Sequence, residues 1–315
     1  MIITELAQAV NRLRNGLVVA IPTETVYGLA ADSSNEIAVK QIFSYKNRPQ
    51  TNPLILHFHN SEAAFEQARL VPEAAKILAT HFWPGPLTLV LPKKTHISDV
   101  ITAAQDTVAL RVPAHPLTRE LLLNFPNGLV APSANKYMQT STTNATDVAK
   151  QFANDDVWIL DGGSCSQGLE STIVAFKDNV PVVLRYGAIT VQQITEVTKL
   201  EVLQNIPMQT VVPGMHKKHY APKAQLIVTE NPVQTLRALA DKTVGFIGVN
   251  QEAAKLATAA FLYNPLDLQE LATNLYRLFH QYDAQNLACI VVEKPENIGL
   301  GQTINDRLKR AATSI

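Results

Sequence analysis

Short apolar runs of strand length recur between residues 17 and 184. They lie at residues 17–21, 54–58, 87–91, 108–112, 128–131, 157–160, 172–176 and 180–184. Apolar residues at helical spacing separate several of these runs, at residues 37–43, 72–82, 117–125 and 147–152. A further helix is expected near the start of the chain, with Thr4 as its N-cap and Gly16 just after its end. Strands that alternate with helices predict an α/β fold built on a large mixed sheet.

The pattern breaks at residues 205–225 and then restarts. This segment contains three prolines, one glycine and a group of basic residues, without clear periodicity. Beyond it, predicted strands at 226–229, 244–247, 260–263 and 288–292 alternate with predicted helices at 233–240, 251–256, 268–282 and 304–312. Such alternation is typical of a compact parallel sheet. We therefore predict a first domain over residues 1–204, a linker over 205–225 and a smaller α/β domain over 226–315.

Composition places the chain among ordinary globular proteins. Its 315 residues are 46% hydrophobic and 17% charged, which argues against a disordered chain. Basic and acidic residues each number 27, so the zero net charge disfavours a protein whose sole role is to bind nucleic acid. Cys165 and Cys289 are far apart, which fits a reducing compartment better than a zinc site or a disulfide framework. Because the sequence shows neither a signal-peptide core nor an apolar stretch of membrane-spanning length, we expect a cytoplasmic protein.

Familiar nucleotide-binding and hydrolase motifs are missing from the sequence. It contains no G-x-x-x-x-G-K-[ST], no H-E-x-x-H and no G-x-S-x-G. Gly299 and Gly301 lack the third glycine of a dinucleotide-binding turn. If the protein binds a nucleotide, it must therefore do so through a different kind of phosphate-binding site.

Polar side chains gather where the predicted strands end. Thr23, Glu24 and Thr25 directly follow the strand at 17–21, at the edge where open α/β sheets bind ligands, although a plain polar turn would look the same. Lys46 and Arg48 lie in a loop between a helix and a strand and can face one anion, or they can belong to a solvated basic turn.

Other polar residues stand inside or beside apolar runs. Arg111 lies within the run 108–112, and a buried guanidinium needs an anionic partner, either a protein carboxylate or a ligand carboxylate. His57 ends the run at 54–58 and by itself is more typical of a satisfied core histidine. Further candidates at strand ends are Ser133, Asn135, Ser171 and Arg185, and a basic, aromatic group occupies the predicted linker at residues 216–220.

Several blocks of the sequence resemble one known family in their content and their order. They are residues 22–30, 46–49 with 52–55, 83–88, 133–135 and 168–174, followed by 213–215 with 219–222 and by 299–301 with 305–308. Together they resemble the YrdC-like threonylcarbamoyl-AMP synthases in their long, two-domain form. Two places depart from the family pattern: residues 136–139 are bulkier than the small residues expected there, and Tyr186 stands where proline is frequent.

The resemblance implies a fold and an activity. It implies a twisted open mixed sheet followed by a smaller Rossmann-like α/β domain, and a nucleotidyltransferase that joins L-threonine, bicarbonate or carbon dioxide, and ATP. The expected products are threonylcarbamoyl-AMP and pyrophosphate, with Mg²⁺ accompanying ATP. The intermediate would feed the machinery that adds threonylcarbamoyl to adenosine in tRNA.

The same resemblance assigns site residues. It implies that threonine contacts Thr25, His57, Arg111, Ala131 and Ser171. It implies that ATP contacts Lys46, Arg48, Asn52, Ser133, Asn135, Ser141, Arg185 and Tyr220, with Lys46 and Arg48 serving catalysis. A double-stranded RNA or tRNA-binding module without chemistry of its own is the alternative function, and direct RNA binding beside the chemistry stays open.

Overall fold

The computed structural model describes residues 1–204, 206, 210, 212–213 and 220–312. These residues form two compact units: the described part of 1–137 and 141–215, and the described part of 138–140 and 216–315. Much of the predicted linker, at residues 205, 207–209, 211 and 214–219, lies outside the described residues, as do His216, Lys217, Lys218 and His219. Within the described ranges, no helix has the length and apolar character needed to cross a bilayer.

The first unit contains all the strand-like runs predicted before residue 185. Its strands are β1 (Ile2–Ile3), β2 (Val19–Ile21), β3 (Gly28–Asp32), β4 (Ile55–His57), β5 (Leu87–Pro92), β6 (Thr107–Arg111), β7 (Leu129–Val130), β8 (Trp158–Leu160), β9 (Thr172–Lys177), β10 (Val180–Arg185) and β11 (Leu203–Gln204). Its helices are α1 (Leu6–Arg14), α2 (Glu36–Lys46), α3 (Ser61–Phe65), α4 (Glu73–Phe82), α5 (Asp99–Thr102), α6 (Pro116–Leu122), α7 (Ala145–Gln151) and α8 (Val191–Thr198).

These strands form one large, twisted mixed sheet, as predicted. Its order is β1-β8-β2-β3-β7-β4-β6-β5-β9-β10-β11, and both edges are open. The β4–β6 and β5–β9 pairs are parallel, whereas β2–β3, β5–β6 and β9–β10 are antiparallel. The sequence pattern missed β3, because its residues Gly28–Asp32 were interpreted as the end of a polar turn. The block at 22–30 is therefore the turn between two antiparallel strands together with the first residues of the second strand.

Helix ends follow the capping rules where a short polar side chain is available. The side chain of Asn35 caps α2 by accepting from the N–H groups of Ile37 and Ala38, each at 3.1 Å. The prediction that Thr4 caps α1 is wrong, because Glu5 occupies the N-cap and makes no side-chain cap bond. That helix is held instead by its apolar stripe, in which Ala9, Val10 and Leu13 are buried.

The two faces of the sheet are covered differently. One face packs against α2, α4, α7 and α8 in the largest hydrophobic cluster of the unit. On the other face, α1 and α6 cover β2, β3 and β7 through a separate cluster that includes Leu13, Leu121 and Leu129. The same face of β4, β5, β6 and β9 carries a small apolar patch with Ile55, Ala109 and Ile173, to which Val212 also belongs.

A row of paired positions crosses this second face. His57 pairs with Arg111 between β4 and β6, and Arg111 pairs with Thr88 between β6 and β5. Thr88 pairs with Ile173 on β9, which in turn lies opposite Arg185 on β10 beyond a register shift. Paired residues of neighbouring strands point to the same face, so the sheet brings these side chains into one line.

The second unit is a smaller, fully parallel α/β domain, as predicted. Its strands are β12 (Gln225–Thr229), β13 (Val244–Gly248), β14 (Ala259–Leu262) and β15 (Cys289–Glu293), in the order β12-β15-β13-β14. Its helices are α9 (Pro232–Ala238), α10 (Gln251–Leu256), α11 (Leu268–Ala284) and α12 (Leu300–Ala312). The central strands β13 and β15 are apolar because helices pack against them, with Leu236, Phe246 and Val291 in the core.

Candidate active site

The turn between β2 and β3 presents the hydroxyl of Thr25 to Arg111. Thr23 Oγ1 donates to the carbonyl of Val26 at 2.6 Å, so the 2.8 Å contact between the two threonine hydroxyls uses the proton of Thr25. The oxygen of Thr25 is then free to accept, and Arg111 Nη2 donates to it at 2.8 Å. The structure therefore brings Thr25 and Arg111, two of the predicted site residues, into direct contact.

Arg111 is buried and has a carboxylate partner within the chain. Its Nη2 donates to Glu24 Oε1 at 2.6 Å, and the other oxygen of Glu24 accepts from the N–H of Ala114 at 2.9 Å. Of the two partners that the sequence left open, the protein carboxylate is therefore present. Among the described residues, Nε of Arg111 has no hydrogen-bond partner although it is buried. Nε is thus a buried donor that a second carboxylate could satisfy.

His57 lies beside Arg111 in a dry position. Only 1% of its surface is exposed, and its Nδ1 lies 3.1 Å from the carbonyl oxygen of Ile55. Burial lowers the pKa of His57 to about 3, and the positive charge of Arg111 acts in the same direction. His57 is therefore a neutral imidazole at physiological pH and does not add to the positive charge of the site.

A second group forms where β5, β9 and β10 meet. The hydroxyls of Thr88 and Ser171 lie 2.7 Å apart, and Arg185 Nη2 donates to Ser171 Oγ at 3.1 Å. Arg185 also donates from Nη1 to the carbonyl of Pro213 at 3.2 Å. Because Thr88 is the strand partner of Arg111, this group adjoins the first one.

Lys46 ends helix α2 and is buried, with 1% of its surface exposed. Its Nζ donates to the carbonyls of Ser133 and Asn135 at 2.5 and 2.6 Å. Burial lowers the pKa of Lys46 well below its usual value, and the charges of Arg48 and then Lys136 lower it further. The ammonium is thus held by neutral carbonyls near other cations, an arrangement that an anion would relieve.

Arg48 and Asn52 form the neighbouring loop. Arg48 donates to the carbonyls of Asn52 and Pro53, at 3.3 and 2.7 Å, which fixes the loop after α2. The side-chain amide of Asn52 is buried, and neither its oxygen nor its nitrogen has a hydrogen-bond partner among the described residues. Buried amides are normally bonded, so this one is suited to a ligand.

Three further predicted residues lie in three separate places. Ser141 donates to Glu170 Oε1 at 2.7 Å, directly before Ser171 in the chain. Ala131 follows β7 and donates its N–H to the carbonyl of Ile55 at 3.3 Å. Tyr220 belongs to the second unit, where its ring stacks on Tyr276 at 5.8 Å between centroids.

The structure adds two residues that the assignment of roles left out. Glu24 orients Arg111, and Thr88 bonds to Ser171 from the neighbouring strand. A signal existed for Glu24, because it stands between two candidate threonines and next in the chain to Thr25. Thr88 gave a weaker signal, since threonine is common in strands for packing reasons alone.

The charges of the site are unbalanced. Four cations are at least nine-tenths buried, namely Lys46, Arg48, Arg111 and Arg185. Two carboxylates, Glu24 and Glu170, are buried with them. Such an excess suits a ligand with several negative charges. Burial raises the pKa of Cys165 to about 12, so this nearby thiol is no nucleophile at neutral pH.

Comparison with known proteins identifies the family of the chain. Two family profiles match the chain: one described as "Telomere recombination" over residues 11–187, and one described as "Threonylcarbamoyl-AMP synthase, C-terminal domain" over residues 189–313. The threonylcarbamoyl-AMP synthase of Pyrococcus abyssi is 38% identical over 319 residues, covering 96% of this chain and 93% of the relative. That of Bacillus subtilis is 37% identical, covering 98% and 93%.

A solved structure extends the likeness to three dimensions. The crystal structure of P. abyssi Sua5 complexed with L-threonine matches with a TM-score of 0.90 and 36% identity, over 99% of this chain and 97% of the other. The fold and site define an α/β enzyme with a YrdC-like first domain and a Rossmann-like second domain. The chain belongs to the threonylcarbamoyl-AMP synthase family.

Proposed function

We propose that this chain condenses L-threonine, bicarbonate or carbon dioxide, and ATP to threonylcarbamoyl-AMP and pyrophosphate. The observation that carries the proposal is the excess of buried cations over buried carboxylates in one site. ATP supplies several negative charges and threonine supplies one carboxylate, so the substrates match that excess. The product would serve the modification of adenosine in tRNA, and the reaction would take place in the cytoplasm.

Threonine binds at the Arg111 group in this proposal. Its carboxylate accepts from Nε of the guanidinium, which is buried and has no partner among the described residues. Glu24 and Thr25 both accept from Nη2 and set the orientation of the guanidinium. Neutral His57, the backbone at Ala131 and the hydroxyl of Ser171 surround the rest of the amino acid.

ATP binds at the lysine and arginine loop. Lys46 and Arg48 face its phosphates, the amide of Asn52 takes a hydrogen bond that it otherwise lacks, and Ser133, Asn135, Ser141 and Arg185 complete the pocket. Tyr220 was assigned to ATP as well, and that assignment stays a proposal. Among the described residues, no group of three or more His, Cys, Asp or Glu side chains is placed to hold a metal. Mg²⁺ would accompany ATP as part of the substrate and would help to neutralise its phosphates.

The chemistry needs positioning more than a protein nucleophile. The threonine amine adds to carbon dioxide and loses a proton, which gives a carbamate. One carbamate oxygen attacks the α-phosphorus of ATP, the bond to the bridging oxygen breaks, and pyrophosphate leaves with that electron pair. Lys46 and Arg48 stabilise the charge that builds on the phosphates. Burial of the site limits hydrolysis of the labile intermediates.

Mass analysis of the product tests this function directly. Wild-type protein with threonine, bicarbonate and MgATP should release pyrophosphate and form a species with the mass of threonylcarbamoyl-AMP. The double variant Lys46→Ala, Arg48→Ala should lose this activity while keeping its fold, as judged by a thermal melt. Lys40→Ala removes an exposed cation of the same helix and is the matched control. Full activity in a well-folded double variant would overturn the assignment of these two residues.

A further inference from the structure

The end of helix α2 is completed by a loop that departs from the family pattern. The last carbonyls of a helix have no partner within the helix. In α2, Phe43 and Ser44 are satisfied by the N–H groups of Arg48 and Asn47, which follow the helix directly. Asn47 makes this possible through a left-handed backbone with φ of 54°.

The next two carbonyls are satisfied from a distant part of the chain. Lys136 Nζ donates to the carbonyl of Tyr45 at 2.7 Å, and the N–H of Tyr137 donates to the carbonyl of Lys46 at 2.7 Å. The C-terminus of α2 is therefore capped by four hydrogen bonds, two from the residues that directly follow the helix and two from residues 136 and 137. The ammonium of Lys136 is also placed well electrostatically, because a helix C-terminus favours a cation.

Lys136 is itself fixed by three neighbours. Its Nζ donates to Asp155 Oδ2 at 2.6 Å, and it lies 4.9 Å from the ring centre of Phe152. Its backbone N–H donates to Gln151 Oε1 at 3.1 Å. About a quarter of the Lys136 side chain is exposed, at 24%, so this is a half-buried and multiply bonded cation.

The connection also runs in the opposite direction. Lys46 reaches from the end of α2 to the carbonyls of Ser133 and Asn135, in the same loop that sends Lys136 back to α2. The two lysines thus tie the helix end and the loop to each other. Because Lys46 is the last residue of α2, any movement of that helix end displaces its ammonium.

We propose that Lys136 is a positioning residue for Lys46 in the proposed adenylation reaction, on which this inference rests. Lys136 caps the helix end and so holds the Lys46 ammonium where the phosphates of ATP bind. It touches no substrate itself. The loop at residues 136 and 137 therefore has a function in this chain, because its cation fixes the part of the site that binds ATP in the proposed function.

The test compares the effect of substitutions on the KM for ATP with their effect on the KM for threonine. Lys136→Met keeps the length of the side chain and removes its charge and its bonds. We expect the KM for ATP to rise about tenfold, the KM for threonine to change less than about twofold, and Lys136→Arg to recover most of the loss. Asp155→Asn, which weakens the anchor of Lys136, should shift the KM for ATP in the same direction. Lys40→Met, on the exposed side of α2, should leave both constants unchanged.

The outcomes distinguish this inference from the function on which it rests. If the wild type forms no threonylcarbamoyl-AMP, the proposed function fails. If the wild type is active and Lys136→Met leaves the KM for ATP unchanged, or raises both KM values equally, the positioning role of Lys136 is overturned. A failure of Lys136→Arg to recover ATP binding would also contradict it, because arginine keeps the charge that caps the helix.

Discussion

Arg111 and Glu24 form a buried ion pair, with 2.6 Å between Nη2 and Oε1 and side chains only 5% and 8% exposed. Glu24 is also fixed by the N–H of Ala114, so its carboxylate cannot turn away. The pair therefore sets the direction of the guanidinium before any ligand arrives. Such preorganisation lowers the cost of binding a second carboxylate.

Replacing Glu24 by glutamine should destabilise the protein because it leaves Arg111 buried without its counter-charge. We expect the free energy of unfolding to fall by about 3 kcal/mol in denaturant titrations, with a higher KM for threonine. Glu5→Gln is the control, since Glu5 is exposed and makes no side-chain cap bond. If Glu24→Gln lowered the free energy of unfolding no more than Glu5→Gln does, the ion pair of Glu24 with Arg111 would not stabilise the fold.

Asn52 should show opposite effects on stability and on activity. Its amide is buried, and among the described residues neither polar atom is bonded. Asn52→Leu removes this unsatisfied group and should raise the free energy of unfolding by about 1 kcal/mol. The same change should raise the KM for ATP about tenfold, because the amide no longer contacts the nucleotide. Asn11→Leu, at an exposed position of α1, is the control and should change neither quantity. If Asn52→Leu were less stable than the wild type, the amide of Asn52 would not be an unsatisfied group in the fold.

His57 should make the fold sensitive to acid. Its pKa is about 3 in the fold, whereas an unfolded histidine titrates near 6.5. A lowered pKa means that the neutral form stabilises the fold, fully above pH 6.5 and progressively less as the pH falls toward 3. Between pH 7 and pH 5 the loss should be about 2 kcal/mol. Wild-type protein should show this loss relative to His57→Gln in denaturant titrations, and NMR should show no titration of His57 between pH 5 and 8.

The sequence predicted the chemical content of the site better than its contacts. Strand-length runs located β4, β6 and β9, and with them His57, Arg111 and Ser171, because apolar runs report burial directly. It missed β3, since the neighbouring polar turn masks a short strand. It left the partner of Arg111 open, because a buried charge shows only that some anion is needed. That Glu24 is this anion depends on how two distant strands pair.

The same limit applies to Lys136. A basic loop residue gives no sign that its ammonium reaches a helix end 91 positions away. Local patterns encode the helix and its first caps, as Asn47 shows, but not the caps supplied by another loop. The departure at 136–139 was visible in the sequence, and only the structure connects it to α2.

Tyr220 offers a last prediction, in the second unit. Its ring is 1% exposed, stacks on Tyr276, and has the guanidinium of Arg307 at 4.8 Å from its centre. Tyr220→Ala should leave a cavity between α11 and α12 and cost about 3 kcal/mol, seen as faster amide hydrogen exchange in both helices. Tyr220→Phe keeps the ring, so exchange should stay close to the wild type. If Tyr220→Phe leaves hydrogen exchange unchanged but raises the KM for ATP, the hydroxyl of Tyr220 acts on the nucleotide. If Tyr220→Ala leaves hydrogen exchange unchanged, the prediction that the ring holds these two helices together is wrong.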